Sequence, residues 1–216
     1  MSEFLSYAER NADRILRLSL EHVGVVLGAL ALGTVVGVGL GLLTYRSPRA
    51  RGLVLAATGL ILTLPSFAMY SLLLGVFQRL GAEIVVLALV LYSLLPIVRN
   101  TITGLLAVDP AVVESARGVG MTRRGVLLRI ELPLAWPIVL AGVRVSAVLL
   151  VGIAALGTIV GGPGLGELLF AGLRTIGGPN ALNLALAGTL GVVVIGVLLD
   201  VAFLGFGRLT TSKGIR

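Results

Sequence analysis

Long apolar runs constrain this sequence more than any other feature. Five of them lie at 23–45, 52–77, 84–98, 134–156 and 184–206. The first three contain no charged residue and the other two contain one each. A helix needs about 20 residues to cross a hydrocarbon core of about 30 Å. Only 12% of the chain is charged, whereas soluble domains average about a quarter. The sequence therefore predicts an all-α, polytopic membrane protein with five transmembrane helices, and it excludes a water-soluble globule.

The residue inventory argues against catalysis by this chain. It has no cysteine and one histidine, His22, which we expect at the membrane interface. Its ten acidic residues are scattered, and the phosphate-loop pattern Gly-x-x-x-x-Gly-Lys-Ser/Thr is absent. We therefore expect no catalytic residue, no metal and no cofactor. One possible function is that of a lipid-modifying membrane enzyme. Such an enzyme would need clustered histidines, cysteines or acids at one membrane face.

The first 22 residues differ from the rest of the chain. Their apolar side chains recur near helical spacing between charged ones, at Phe4, Ala8, Ala12, Ile15 and Leu16. This pattern predicts an amphipathic interfacial helix over 1–22, followed by a transmembrane domain over 23–216.

The distribution of basic residues predicts the orientation. The net charge of +7 favours a membrane explanation over nucleic-acid binding, because basic residues concentrate in cytoplasmic loops. Eleven of the 17 fall on one predicted face, in 46–51, 99–133 and the C-terminal tail with Lys213 and Arg216. Five fall on the other face. The sequence therefore predicts an outer N-terminus and a cytoplasmic C-terminus, with the N-terminal arginines as the counterargument.

Two connections between spans are unusual. Residues 157–183 are rich in glycine and proline yet contain an apolar stretch too short to cross, which predicts a re-entrant extracytoplasmic segment. The polar connection at about 99–133 contains Asp109 followed by Pro110, a favourable helix start. We expect a short helix from Pro110 to about Arg117, ended by Gly118 and Gly120. An interfacial helix over 123–132 is expected to follow it, before a span led by Pro133.

The same connection carries a motif. Glu114, Ser115 and Ala116 are followed by Gly120 and then by Ile130, Leu132 and Pro133. This arrangement resembles the signature of the inner-membrane permeases of ATP-binding cassette (ABC) importers, which is Glu-Ala-Ala, three residues, Gly, nine residues and Ile-x-Leu-Pro. The one departure is serine in place of alanine, a small residue compatible with a helix.

A longer resemblance covers the chain from the first span onward. The stretches YSLLPIVRNTITGLLAVDP (92–110) and AGVRVSAVLLVGIAALGTIVGGPGLGELLFAGL (141–173) are similar to permeases of glycine betaine, carnitine and choline importers. The resemblance implies a MetI-like fold in a bacterial inner membrane. It also implies three partners: cytoplasmic ABC ATPase subunits, a second permease subunit in a homodimer or heterodimer, and a separate extracytoplasmic substrate-binding protein.

In the family, the short cytoplasmic helix docks into a cleft of the ATPase and transmits its closure to the spans. The resemblance therefore implies ATPase coupling for this part of the chain. The candidate residues are Asp109, Pro110, Glu114, Ser115, Ala116, Arg117, Gly118, Gly120, Met121, Ile130, Leu132 and Pro133.

Several residues within or beside the spans are candidates for the transport pathway. They are Pro65, Phe67, Tyr70, Tyr92, Arg144, Glu167 and Asp200. Arg144 and Asp200 lie inside predicted spans, so they are expected to pair with each other, to line the pathway or to find separate partners. Pro65 is expected to kink its helix and free a carbonyl group. Glu167 resembles part of an outer-gate loop, or it is simply a carboxylate at a helix start.

The sequence thus predicts an osmoprotectant permease that works by alternating access. Ergothioneine or an amino acid remains an alternative cargo. A secondary transporter or channel that needs no nucleotide is the remaining alternative, although the odd number of spans without inverted halves argues against it.

Overall fold

A computed structural model describes residues 2–211 of the chain. Lys213 and Arg216 therefore lie outside the described residues. The α-helices are α1 Ser2–Arg10, α2 Ala12–Thr44, α3 Pro48–Thr63, α4 Ser66–Phe77, α5 Ala82–Leu106, α6 Pro110–Gly118, α7 Arg123–Val126, α8 Leu132–Leu156, α9 Gly166–Arg174 and α10 Ala181–Thr210. A π-helical turn, Leu127–Glu131, joins α7 to α8, and a 3-10 turn, Gly157–Val160, follows α8.

Within residues 2–211, four helical stretches are each long and apolar enough to cross a membrane. They are α2, α5, the stretch Arg123–Val160 that contains α8, and α10. The pair α3 and α4 supplies a fifth if its two halves are counted as one bent span. The prediction of an all-α polytopic protein is confirmed.

The second predicted span is broken at Pro65 instead of merely kinked. The axes of α3 and α4 differ by 101°. Leu64, the residue before the proline, adopts an extended conformation with ψ 131°, as steric contact with a following proline ring favours. The hydroxyl of Tyr92 donates a hydrogen bond of 2.7 Å to the carbonyl oxygen of Leu64. Tyr92 therefore satisfies one of the carbonyl groups at the end of α3.

The third predicted span is too short. It was predicted to end at residue 98, but α5 continues past Pro96 to Leu106. Its polar side chains bond back to the helix, because Asn100 Nδ2 donates to the carbonyl oxygen of Pro96 (2.8 Å) and Thr101 Oγ1 donates to that of Ile97 (2.8 Å). These polar residues are thus accommodated inside a helix.

Helix boundaries also differ at two other places. The N-terminal helix is interrupted at Asn11, whose side-chain amide donates to the carbonyl oxygen of Tyr7 (2.9 Å), and no boundary falls at residue 22. His22 is fully buried instead of lying at an interface, with Nε2 3.0 Å from the carbonyl oxygen of Val151. The expected separate helix over 123–132 is continuous with α8, because the π-helical turn carries the chain into Pro133 without a break.

Three side-chain contacts define the two ends of the bundle. At one end, Arg46 contacts Glu131 and Trp136 Nε1 donates to Thr210 Oγ1 (3.0 Å). We call this end the coupling face. At the other end, which we call the opposite face, Arg14 contacts Glu167. The starting end of α2 and the final end of α10 therefore lie at opposite ends of the bundle, as an odd number of spans requires.

Close helix contact between α2 and α5 depends on glycine. A Cβ atom added at Gly37 would lie 2.8 Å from Cγ2 of Ile97, whereas one added at Gly39 would meet nothing within 4 Å. Gly33 and Gly41 face Ser93 and Thr101 of α5 in the same way. The spacing of these glycines thus serves helix packing.

This contact gives a matched pair of substitutions. Gly37→Ala is expected to lower the free energy of unfolding by about 1–3 kcal/mol, because the added methyl group overpacks against Ile97. Gly39→Ala, two residues away in open space, is expected to leave it unchanged or to raise it slightly. Chemical denaturation of the purified protein in detergent measures both. Equal effects of the two substitutions would contradict the assigned helix contact.

Candidate functional site: a coupling segment and a charged groove

The short helix α6 begins where local sequence signals predict. The Asp109 carboxylate accepts a hydrogen bond of 2.8 Å from the backbone N–H of Ala111, and Pro110 occupies the first helical position. Both features satisfy or remove N–H groups that the first turn would leave unpaired. The helix continues through Arg117 to Gly118. Helix α6 is therefore capped independently of the bundle.

Most of α6 is exposed to solvent. Among its side chains only Ala116 is buried, while Glu114, Ser115 and Arg117 are exposed. Val112 is 42% exposed on the helix, and Val119, which follows it, is 82% exposed. Helix α6 and the residue after it therefore expose both apolar and charged side chains.

A sharp turn returns the chain from α6 toward the bundle. Gly120 has φ +87°, a left-handed conformation that favours glycine. Its neighbour Met121 donates its backbone N–H to the carbonyl oxygen of Ala116 (3.1 Å), and the Thr122 hydroxyl caps α7 by accepting from the N–H of Gly125 (3.2 Å). These local bonds give residues 109–126 a defined shape. We call residues 109–133, which include the π-helical turn, the coupling segment.

The end of the motif lies in the π-helical turn and the first turn of α8. Ile130 and Leu132 are half-buried, and Pro133 is exposed. Between them stands Glu131, only 6% exposed, which sequence reasoning did not single out. Its Oε2 accepts hydrogen bonds from the hydroxyl of Tyr45 (2.9 Å) and from Nη2 of Arg46 (3.1 Å). The available signal was an acid in a stretch, 123–143, whose other charged residues are all basic.

The environment keeps Tyr45 available as a hydrogen-bond donor. Tyr45 follows the last residue of α2, and burial raises the pKa of its hydroxyl to about 12, helped by the bond to Glu131 and by the negative charge of that carboxylate. The guanidinium carbon of Arg46 lies 5.0 Å from the centre of the Tyr45 ring, within the range of a cation–π interaction.

Arg144 and Asp200 join α8 to α10. Arg144 Nε donates to Asp200 Oδ1 at 2.6 Å, and Nη2 donates to Oδ2 at 2.8 Å. The predicted pairing of these two residues is thus present, in the bidentate geometry that a guanidinium and a carboxylate favour. Each side chain is 35% exposed. The pair therefore faces an open surface and does not lie in the protein core.

That surface forms a groove between α8 and α10. Three adjoining cavities of about 440, 360 and 410 Å³ run along it, and Arg144 or Asp200 lines each of them. The other residues that line the second and third cavities are apolar or glycine, and they include Val145, Val148 and Val197. We call it the α8–α10 groove.

Two of the aromatic pathway candidates lie in the core instead. Tyr70 is 1% exposed and Tyr92 is 2% exposed. The Tyr70 hydroxyl donates to the carbonyl oxygen of Ile153 (3.0 Å), as that of Tyr92 does to Leu64. Both tyrosines therefore brace contacts between helices inside one protomer. Phe67 is 56% exposed on α4, and Pro65 beside it is also exposed.

Glu167 lies at the opposite face, in the first turn of α9. Its Oε1 lies 2.7 Å from Nη2 of Arg14, and both side chains are close to half exposed. Helix α9 itself packs closely on α10, where a Cβ atom added at Gly188 would lie 2.6 Å from the backbone nitrogen of Leu169. The candidate residues are thus divided between the coupling face, the groove, the core and the opposite face.

Comparison with known proteins identifies the class. A family model described as "Binding-protein-dependent transport system inner membrane component" matches residues 33–210. The chain belongs to this family, so it is a membrane component of a transport system. The match confirms the resemblance that the motif in the connection between α5 and α8 indicated.

Curated relatives match over most of their length. The chain is 38% identical to the glycine betaine/carnitine/choline transport system permease protein OpuCD of Bacillus subtilis (strain 168). The alignment spans 195 residues and covers 90% of this chain and 83% of that protein. It is 37% identical over 216 residues to the osmoprotectant import permease protein OsmW of Salmonella typhimurium (strain LT2), which covers 98% and 99%.

Solved structures show the same fold. A chain from the inward-facing MetNI methionine ABC transporter superposes with a TM-score of 0.81 at 19% sequence identity, covering 94% of this chain and 99% of that one. A chain from an amino acid ABC transporter crystallised with histidines gives a TM-score of 0.72 at 17% identity, covering 95% and 96%. At these identities the likeness establishes the fold alone.

Proposed function

We propose that this chain is the permease subunit of an ABC importer that translocates a small osmoprotectant such as glycine betaine, carnitine or choline. The observation that carries the proposal is the exposed, independently capped helix α6 between α5 and α8, with the family motif running from Glu114 to Pro133. Identities of 37–38% to permeases named for such solutes support the cargo class.

In this proposal the coupling face is cytoplasmic. The contact between Arg46 and Glu131 supports it, because it brings two of the arginine-rich segments, 46–51 and 99–133, to the same end of the bundle. Basic residues concentrate on the cytoplasmic side of membrane proteins. The N-terminus would then lie on the outer side of a bacterial inner membrane, and the C-terminus in the cytoplasm.

ATP is hydrolysed by a separate subunit that binds α6. Because α6 lies in the chain between α5 and α8, a displacement of α6 is transmitted to both spanning helices. Closure of two ATPase subunits would draw two such helices together and move the spans between inward-open and outward-open arrangements. Residues 109–126 act here as a lever with its own local hydrogen bonds.

The α8–α10 groove is the proposed surface for the second permease subunit and the transport pathway. An ion pair that is 35% exposed is costly against lipid, but it is compatible with water or with protein. A second copy facing this groove would enclose the pair between two protomers, the arrangement expected of a transporter with two-fold symmetry. Arg144 and Asp200 are therefore the pathway residues with the strongest geometric support.

The substrate-binding protein would dock at the opposite face. Residues 157–183 lie there and form the proposed re-entrant segment, with Glu167 held by Arg14. In this proposal α9 belongs to the outer gate, and Arg14 fixes its position relative to the N-terminal part of α2.

Reconstitution tests the proposal. Proteoliposomes containing this chain, its ATPase and its binding protein are expected to import labelled glycine betaine, carnitine or choline only when ATP is enclosed with the ATPase. Competition by excess ergothioneine or amino acids, without competition by the quaternary ammonium compounds, would assign a different cargo to the same machine. Uptake by this chain alone under an ion gradient would contradict an ABC importer.

A further inference from the structure

Glu131 is a buried carboxylate at the coupling face that the motif itself does not include. It is the last residue of the π-helical turn and stands directly before α8. Its side chain is 8% exposed. Burying a carboxylate is unfavourable unless charged and hydrogen-bonding partners compensate it.

Both of its partners come from the end of the first spanning helix. The Tyr45 hydroxyl and the Arg46 guanidinium donate to the same oxygen, Oε2, at 2.9 and 3.1 Å. The Arg46 guanidinium also lies over the Tyr45 ring. We call these three residues the Glu131 clamp.

The Glu131 clamp connects two parts of the fold that are not adjacent along the chain. Helix α6 is linked covalently to α5 on one side and, through α7 and the π-helical turn, to α8 on the other. Helix α2 has no such link to this segment. Within residues 2–211, the side-chain hydrogen bonds described between 12–47 and 107–133 are the two to Glu131.

The chemistry of the clamp suits the transmission of movement. Apolar contacts at the same end, where Tyr45 belongs to one apolar cluster with Ile102 and Val139, are not directional. Charge-assisted hydrogen bonds to a buried oxygen fix distance and direction. The π-helical turn also places Glu131 next to the segment whose displacement drives α8, and such turns recur at functional sites.

We propose that Glu131 is a positioning residue that fastens the end of α2 to the coupling segment, so that α2 moves together with α8 when the ATPase displaces α6. This inference rests on the proposed function and extends it to a residue and to a helix outside the coupling motif. Tyr45 and Arg46 act through Glu131 in this role.

The test compares variants in the reconstituted complex with its ATPase and binding protein, with glycine betaine as the solute. Glu131→Ala removes the clamp, whereas Glu131→Gln keeps an oxygen that can accept from Tyr45. Arg49→Ala is the matched control, because Arg49 is exposed at the same end of the bundle and is not one of the two donors to Glu131. Three quantities are measured: bound ATPase, the ATP hydrolysis rate, and solute imported per ATP hydrolysed.

Glu131→Ala is expected to retain the ATPase and to keep hydrolysing ATP, while the solute imported per ATP falls about tenfold or more. In Glu131→Gln, the solute imported per ATP should fall less. Tyr45→Phe combined with Glu131→Gln should approach the alanine variant. Arg49→Ala should keep the native ratio. A purely structural role would lower bound ATPase, hydrolysis and uptake in proportion and leave the ratio unchanged.

An unchanged ratio in both Glu131→Ala and the double variant would overturn the inference. If Glu131→Ala fails to assemble, the milder Glu131→Gln and Tyr45→Phe variants decide the question by the same ratio. Failure of the proposed function looks different, because the native complex itself would then show no uptake driven by ATP.

Discussion

Replacing Glu114 by lysine is expected to remove the ATPase from the purified complex and to abolish import. Glu114 is exposed on α6, the helix that we propose the ATPase grips. Reversing a charge at a docking surface weakens association by about tenfold or more when the partner's potential is complementary. Co-purification of the ATPase with tagged permease, before and after the substitution, measures the change.

A substitution at Gly120 tests the same segment by changing its backbone conformation. Valine at Gly120 would be strained, because φ is +87° there and β-branched residues rarely adopt that conformation. The turn between α6 and α7 would change, and ATPase binding should again fall. Gly177→Val is the matched control, with φ +89° and open space around it at the opposite face. Equal loss of ATPase in both glycine variants would indicate general destabilisation and not a coupling role.

Separating Arg144 from its partner is expected to have the second large effect. Asp200→Asn keeps the size of the side chain but leaves the guanidinium without a countercharge on the face of the α8–α10 groove. Because the pair joins the two helices that line the groove, its loss changes the balance between transport conformations. Uptake should fall about tenfold or more, as measured by labelled glycine betaine in proteoliposomes with equal amounts of complex.

The exchanged pair is the control for this prediction. Arg144→Asp combined with Asp200→Arg restores opposite charges across the groove and should recover part of the uptake lost by Asp200→Asn. Native uptake by Asp200→Asn itself would show that the pair has neither a pathway role nor a conformational one.

Local signals predicted the bounds of α6 well. Asp109 and Pro110 act through the first turn of their own helix, and the conformation of Gly120 depends on its immediate neighbours. Such interactions are contained within a few residues and are therefore visible in a sequence. Pairing of Arg144 with Asp200 was also predictable, because these are the two charges within otherwise apolar spans.

Features that depend on tertiary contacts were predicted less well. Helix α5 continues past Pro96, with Asn100 and Thr101 bonding back to it, although the same residues often end a helix. Tyr70 and Tyr92 look equally suited to a pathway and to a core in the sequence. In the fold, their hydroxyl groups donate hydrogen bonds to the carbonyl oxygens of Ile153 and Leu64. The carbonyl group of Leu64 is free to accept because the helix breaks at Pro65.

Glu131 shows the limit most clearly. It is visible in the sequence as the one acid among the basic and apolar residues of 123–143, but its partners Tyr45 and Arg46 lie some 85 residues earlier in the chain. No local pattern links the end of one span to the start of another across that distance. The helix order and the family fold supply the link.

The side of the membrane from which α6 can be reached tests the central claim most directly. The sequence has no cysteine, so Val119→Cys, at a position 82% exposed, and Ile176→Cys, at one 79% exposed, each introduce a single thiol. Labelling with a membrane-impermeant maleimide should modify Val119→Cys only in inverted vesicles, with protection when the ATPase is bound. Ile176→Cys should react only in right-side-out vesicles. Labelling of Val119→Cys from the outer side, or its inaccessibility from both sides without the ATPase, would contradict a cytoplasmic coupling helix.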